Sequence, residues 1–242
     1  MSESIEKFEG FKPTAERAHN GIALIYDLEG FSRFFNQPDI HEYIPKYLNH
    51  VIGAVENAIY GGVNDFIDET DHKILPFLPE HRKFMGDGSL YVWVQKDIEN
   101  IFTQKFIGNL CNRLWNIKKA FGKLNTRITS DVPVFELPQK IRFGIARGTI
   151  YELTTDKGDK EYIGFCINLA SRLQSYCPSL GFIASARINL ENSSLQKNGY
   201  VKVVAKKIKG FPKEIVIVDK TEYLGLAPDL KKDLFEEINP IT

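Results

Sequence analysis

Four short stretches hold residues whose types and spacing could do chemistry. In RKFMGDGSLYVW, residues 82–93, Asp87 stands between Gly86 and Gly88 where one apolar run passes into another. In YDLEGFSRFF, residues 26–35, Asp27 ends an apolar run and Gly30 lets the backbone turn before Phe31 and Ser32. If those runs are adjacent strands, two carboxylates converge at one edge, which suits a hard divalent cation such as Mg²⁺. In NLASRL, Asn168 and Arg172 stand four residues apart, so a helix projects both from one face. An amide beside a fork-shaped guanidinium suits a ribose next to a phosphate. Last, AKKIKGF gathers Lys206, Lys207 and Lys209 ahead of Gly210. Each stretch taken alone also has a plainer use: Asp-Gly as a hairpin turn, Asp27 as a cap, the helix pair as solvated surface, the lysines as a strand edge.

The elements that must position these residues follow from the apolar pattern. GIALIYD reads as a buried strand ending at Asp27, and PDIHEYIPKYLNHVIGAVENAIYGG as a helix with Pro45 in its first turn or at a kink. The connection from Asn64 to Glu80 is long and polar, a flap or a disordered loop. After the hairpin around Asp87, DIENIFTQKFIGNLCNRLWNIKKAF has helical spacing, with Ile98, Phe102, Phe106, Leu110 and Leu114 on one side. KIRFGIARGTIYEL reads as a strand pair broken near Gly148, NLASRLQSYC as a helix, and GFIASARINLEN as a strand followed by a short helix. YVKVVAKKIKGFPKEIVIVDK closes the pattern as a final strand pair. Strand pairs separated by helices predict an α+β fold, a mostly antiparallel sheet covered by helices, and not a doubly wound parallel sheet.

Composition narrows the function classes. The 242 residues, 43% hydrophobic, suffice for one substantial core. Lys plus Arg and Asp plus Glu balance at 31 each, so no general field draws the chain to nucleic acid or an anionic membrane. The amino terminus lacks a signal-peptide core, and no apolar run approaches the roughly 18 to 20 residues of a membrane span, so a cytoplasmic protein is expected. Cys111, Cys166 and Cys177 have no zinc or disulfide spacing, and the histidines, His19, His41, His50, His72 and His81, form no HExxH pair. They are read as ordinary surface or core residues.

Taken in order, ALIYDLEGFSRFF, KFMGDGSLYVW, RFGIARGTIY, EYIGFCINLASRLQ and KIKGF resemble the catalytic domain of the class III nucleotide cyclases, the adenylate and guanylate cyclase family. The resemblance runs from about Gly21 to Asp219, implying residues 1–20 as an extension, 21–220 as the catalytic domain and 221–242 as a tail. It implies the family's fold, a ferredoxin-like palm core. It also implies that Asp27, Asp87 and the Leu28 backbone hold two divalent cations, Mg²⁺ or Mn²⁺, and that Gly30, Phe31 and Ser32 form the turn around the triphosphate. Asn168 and Arg172 match the pair that orients the ribose and meets charge at the α-phosphate, and Lys209 matches a lysine on the polyphosphate. Lys83 and Glu161 fall where the family reads the base. The implied activity is cyclisation of a nucleoside triphosphate with loss of pyrophosphate, at sites shared across a head-to-tail homodimer.

The base pocket departs from the family's pattern. Lys83 is of the adenine type, but Glu161 opposite it is longer than the Asp or Thr of ATP-using members and would crowd a two-ring base. Tyr43 and Tyr47, in the first long helix, are candidates to shorten the pocket to one ring, although each also fits as a core or interface aromatic. The chain is further similar to the free-standing bacterial pyrimidine cyclases, implying UTP or CTP as substrate, a cyclic UMP or CMP messenger in antiviral defence and a cyclic-nucleotide-gated effector downstream. ATP is the alternative substrate. A silent nucleotide-binding module and a palm enzyme that joins nucleotides are the readings from other classes. Retention of Asp27, Asp87, Asn168 and Arg172 stands against the first. The lack of a GGDEF-like signature and of a basic nucleic-acid face stands against the second.

Overall fold

The structure, a computed structural model, describes residues 11–12, 17–63, 71–72, 75–96, 102–155 and 158–238. In chain order the elements are β1 (Phe11–Lys12), β2 (His19–Glu29), α1 (Phe31–Phe35), a 3₁₀ turn (Ile40–Glu42), α2 (Ile44–Tyr60), β3 (Gly62–Val63), β4 (Asp71–His72), β5 (His81–Phe84) and β6 (Ser89–Gln95). There follow α3 (Gln104–Ile128), β7 (Lys140–Thr155), β8 (Lys160–Gly164), α4 (Phe165–Tyr176), β9 (Phe182–Ser185), a second 3₁₀ turn (Ala186–Ile188), α5 (Asn192–Asn198), β10 (Tyr200–Ile208) and β11 (Phe211–Asp219). The last are α6 (Lys220–Leu224), α7 (Pro228–Leu234) and β12 (Phe235–Glu237).

One sheet runs in the order β12, β10, β11, β9, β7, β2, β6, β5, with β1 and β8 on the projecting end of β7. Every pairing in it is antiparallel except β7 with β9. This is the α+β architecture that the alternation of strand pairs and helices predicts. Both faces of the sheet are covered, which is why β2 and β6 read as continuous apolar runs. In β2, Ile22, Leu24, Tyr26 and Leu28 enter the layer beneath α2 and α3, while Ala23 and Ile25 enter the layer beneath α4. The strand period of two therefore carries Asp27 and Glu29 to the α4 side.

Two helices show how local sequence sets boundaries. Pro45 sits in the first turn of α2, where it has no hydrogen bond to break. Helix α3 starts at Gln104, capped by Thr103, whose Oγ1 accepts from the Phe106 amide at 3.2 Å. Its buried stripe includes Phe106, Leu110 and Leu114, preceded by Phe102; Ile98 lies outside the described residues. Of the long connection at 64–80, residues 64–70 and 73–74 also lie outside them.

Two expectations are corrected. The strand pair expected to break near Gly148 is one continuous strand, β7. Gly148 serves packing: a Cβ there would lie 2.5 Å from Phe165 Cδ1, so the glycine makes room for the first ring of α4. The segment after Asp219, expected as a tail, contributes α6, α7 and an edge strand, with Phe235–Glu237 paired to Val203–Ala205. Asp219 anchors it: its carboxylate accepts from Trp115 Nε1 at 2.6 Å and Lys118 Nζ at 2.9 Å and caps α6 through the Glu222 amide.

Helix α4 lies so close to β7 that a Cβ on Gly144 would sit 2.1 Å from the Ala170 carbonyl oxygen. Gly53, inside α2, has nothing within 4 Å of such a Cβ. Gly144→Ala should thus cost about 3 kcal/mol or more by forcing α4 off the sheet. Gly53→Ala should gain up to about 1 kcal/mol from helix propensity. Thermal unfolding of the two variants should move in opposite directions; a neutral Gly144→Ala would contradict the close packing of α4.

Candidate active site

The hairpin between β5 and β6 is held against the end of β2. Its turn, residues 85–88, closes through the Met85 amide donating to the Gly88 carbonyl at 2.9 Å, and Gly86 adopts a φ of 96°. A Cβ on Gly88 would lie 1.8 Å from the Tyr26 carbonyl oxygen and 3.0 Å from Asp27 Cα. No side chain fits there, so the second glycine of Gly-Asp-Gly is what lets the turn press onto the Tyr26–Asp27 peptide. Asp87 is thereby brought to Asp27. Partial burial is the main cause raising the Asp87 pKa; the negative charge of Asp27 adds to it, while its own backbone hydrogen bond and Arg142 oppose it.

The backbone supplies a further oxygen. Tyr26 turns its carbonyl toward the hairpin, and alternation along β2 turns the Leu28 carbonyl to the same side. Pairing of β2 with β6 ends at Tyr26–Ser89, so the Leu28 carbonyl lies beyond that ladder. Two carboxylates and a carbonyl form an all-oxygen donor set, which fits a hard divalent cation. Among the described residues no group of three or more His, Cys, Asp or Glu side chains gathers to hold a metal.

Arg142 is the member that the sequence reading missed. It faces Asp27 in register across β2 and β7, and its guanidinium grips the carboxylate with two bonds, Nε to Oδ1 at 2.9 Å and a terminal nitrogen to Oδ2 at 2.6 Å. The bond to Asp27 is the first cause raising the Arg142 pKa. The signal was present as the first residue of RFGIARG, but only the register of β2 on β7 turns it into a contact. A cation at Asp27 would compete with this guanidinium for the carboxylate.

Beyond the acids the chain turns sharply. Gly30 has a φ of 89° and its carbonyl accepts from the amides of Arg33 and Phe34 at 3.1 and 3.0 Å. Helix α1 thus begins at Phe31 within four residues of Asp27. The first amides of a helix have no intrahelical acceptor, and Ser32 is exposed among them.

The other expected residues gather elsewhere. Leu169, Ala170 and Leu173 pack α4 onto the sheet, leaving Asn168 and Arg172 exposed on its outer face, their side chains unpaired with any described residue. Among the described residues, no hydrogen bond or ion pair joins either to Asp27 or Asp87. Lys209 stands exposed at the β10–β11 turn, beside Gly210 with a φ of 84°. The registers Asp27–Arg142, Phe143–Phe182 and Ile183–Val218 put the acids level with the far end of β11. Lys209 therefore lies at the opposite end of the sheet from Asp27.

Lys83 and Glu161 do meet: Lys83 Nζ lies 2.6 Å from Glu161 Oε1. His81, read as an ordinary histidine, joins them, with Nε2 3.8 Å from Glu161 Oε2 and its ring 5.1 Å from that of Tyr162. Burial is the main cause lowering the His81 pKa, opposed by Glu161 and helped by Lys83, so the imidazole is neutral near pH 7. Tyr43 and Tyr47 are not brought to this pair. Tyr47 is 0% exposed, its ring 4.8 Å from Phe34 and its hydroxyl donating to Asn125 Oδ1 at 3.2 Å. Tyr43 is half-buried against the same core. The amphipathic period of α2, with Tyr47, Val51, Ala54, Val55 and Ala58 facing inward, makes Tyr47 a core residue and corrects its assignment to the pocket.

The chain is similar to solved structures of nucleotide cyclases. With the adenylyl cyclase CyaB from P. aeruginosa it shares 19% identity at a TM-score of 0.57, over 84% of this chain and 94% of that one. With the guanylyl cyclase Cya2 the values are 20% and 0.55, over 85% and 93%. With a bacterial light-regulated adenylyl cyclase they are 15% and 0.57, over 86% of this chain and 53% of that longer one. No protein-family model and no curated protein matches the chain. At these identities the likeness is one of fold: the chain has the fold of the class III cyclase catalytic domains. No described helix is long and apolar enough to cross a membrane.

The raised pKa of Asp87 gives a signed expectation. A carboxyl whose folded pKa exceeds its unfolded one costs stability once pH rises through both, so ionised Asp87 opposes folding at neutral pH unless a cation offsets it. Asp87→Asn should therefore melt no lower than the parent chain in EDTA at pH 7.5, and should lose the rise in Tm that Mn²⁺ gives the parent. A variant that still gains stability from Mn²⁺ would remove Asp87 from the donor set.

Proposed function

We propose that this chain is a nucleotide cyclase that converts a pyrimidine nucleoside triphosphate, UTP or CTP, into its 3′,5′-cyclic monophosphate and pyrophosphate at sites built by two copies of the chain. The observation that carries this reading is the sorting of the residues. The acids, the Leu28 carbonyl and the Gly30–Ser32 turn lie together, while Asn168 and Arg172 project unpaired from the outer face of α4 and Lys209 projects from the opposite end of the sheet. Each chain thus offers two half-sets that do not meet within it, and a head-to-tail pair joins one half-set from each copy into two equivalent sites.

In the reaction the ribose 3′-oxygen attacks the α-phosphorus, its proton is lost, and the bond to the pyrophosphate oxygen breaks. Divalent cations, Mg²⁺ or Mn²⁺, held at Asp27, Asp87 and Leu28 would supply acidification of that hydroxyl and charge for the triphosphate. The chain's own residues supply position and charge. Amides of the Gly30–Phe31–Ser32 turn receive phosphate oxygens, as helix N-termini do. Arg142, once off Asp27, offers a fork of donors to the same phosphates, and Lys209 of the other copy adds a point charge. Asn168 orients the ribose. Arg172 faces the α-phosphate, where negative charge develops; one such donor is commonly worth about 3 kcal/mol, so Arg172→Ala should lose about two orders of magnitude in kcat.

Lys83 donates and Glu161 accepts at the base edge. That pairing admits uracil, with its N3–H and its carbonyls, as it does any base edge with a donor beside an acceptor, and the preference for one ring rests on the length of Glu161, which leaves less depth for two. By its resemblance to pyrimidine cyclases, the product would be a cyclic UMP or CMP messenger read by a cyclic-nucleotide-gated effector in antiviral defence.

Two measurements test this. Pyrophosphate release from each of the four NTPs with Mn²⁺, with the product identified by mass, should show UTP or CTP turned over ahead of ATP and GTP. A preference for ATP would overturn the single-ring reading and leave the cyclase, and no release from any NTP would overturn the cyclase. Separately, inactive Asp27→Ala chains mixed one to one with inactive Arg172→Ala chains should regain about a quarter of the parent activity, since half of the pairs are mixed and each keeps one intact site. No recovery despite demonstrated subunit exchange would place each site within one chain.

A further inference from the structure

We propose that Glu29 is a positioning residue of the acid pair, a second anionic seat onto which the Arg142 guanidinium turns when a divalent cation takes Asp27. The inference rests on the reading of Asp27 and Asp87 as a cation site. Glu29 follows Asp27 by two residues on β2, so the strand period brings both side chains to the face on which Arg142 lies. Its Oε2 is buried and has no hydrogen-bond partner among the described residues. Lys140 stands opposite it in register, yet forms no ion pair with it. A buried carboxylate oxygen without a donor is an acceptor left unsatisfied, so a donor that reaches it lowers the free energy of whichever state contains it.

Arg142 is the donor within reach. Asp27, Glu29 and Asp87 all act electrostatically on its guanidinium, but only Asp27 is bonded to it. A cation arriving at Asp27 would otherwise leave a half-buried guanidinium unpaired, which is costly. With Glu29 beside it the two bonds to Asp27 are exchanged for bonds to Glu29, and cation uptake becomes a change of partner. No bond is made or broken covalently and no proton moves.

The test measures Mn²⁺ binding without nucleotide, by calorimetry, in the full chain and its variants, with Tm in EDTA recording that each is folded. Arg142→Met removes the competitor and should bind Mn²⁺ about tenfold tighter. Glu29→Gln removes the seat and should bind about threefold to tenfold weaker, but in the Arg142→Met background the same change should alter binding less than twofold. Glu29→Asp, which keeps the charge one methylene shorter, should weaken binding less than Glu29→Gln and serves as the reading if the Gln variant does not fold. Unchanged binding in both Glu29 variants overturns the proposal. Equal weakening with and without Arg142 also overturns it, because Glu29 would then act on the cation directly. Failure of the parent chain to bind Mn²⁺ overturns the cation site itself, and this inference with it.

Discussion

The structure of the acid site depends on one close approach, that of the β5–β6 turn to the Tyr26–Asp27 peptide. A methyl group at Gly88 would overlap the Tyr26 carbonyl oxygen at 1.8 Å, so the distance between the two acids is set by the absence of a side chain. Much follows from this contact. It ends the β2–β6 ladder at Tyr26, which releases the Leu28 carbonyl from sheet pairing, and it draws Asp87 toward both Asp27 and Arg142. Two like charges brought together this way repel, and the bidentate Arg142 offsets that repulsion at Asp27. The acid site is an electrostatic cluster balanced by an internal cation, with which, in the proposed reading, an external cation would compete.

The two-sided sheet accounts for the separation of the acids from Asn168 and Arg172 within one chain. Covering both faces with helices requires that α4 lie flat on β7, with glycines at 144 and 148 where a Cβ would strike it. A helix so closely seated points its polar face directly outward, and Asn168 and Arg172 go with it. The β10–β11 hairpin is carried to the other end of the sheet by the antiparallel order, and takes Lys209 away from the acids. Packing that buries the core well therefore separates the two half-sets. In the proposed reading a second copy of the chain reunites them, which closed two-fold symmetry would supply without any further element.

Most of the fold was legible in the sequence because its signals are local. Strand runs such as GIALIYD, the Gly-Asp-Gly turn, and the apolar stripe of Phe102, Phe106, Leu110 and Leu114 report their structure through neighbours in the chain. What the sequence concealed depends on register or depth. Arg142 gains meaning only when β7 lies beside β2 with residue 142 facing residue 27. His81 looked ordinary because its partner, Glu161, is 80 residues away. Gly148 read as a break because a glycine that ends a strand and one that admits a ring from an overlying helix have the same letter. Tyr47 fitted a pocket or the core equally from spacing alone, and only the packing of α2 on Phe34 and Asn125 decides it. The segment after Asp219 was expected as a tail because the resemblance ends there; its short elements gain their stability from β10 and from the buried Asp219 network.

The Lys83–Glu161 pair sets limits on how any base could be read. With Lys83 half-exposed, the ion pair is worth no more than about 1 kcal/mol, so an entering base can separate it at little cost. What it must then satisfy is one ammonium and one carboxylate, both already partly desolvated. A base edge with an acceptor beside a donor meets that demand, and uracil, cytosine, adenine and guanine each present one. Charge alone therefore cannot discriminate among them, and discrimination falls to depth. In the proposed reading depth is set by Glu161, whose two oxygens face Lys83 on one side and the ring of His81 on the other. His81 Nε2, at 3.8 Å, makes no hydrogen bond to that carboxylate among the described residues, so in that reading base size is tied to the bulk of Glu161 and to its placement on β8 beside Lys83 and His81 of β5.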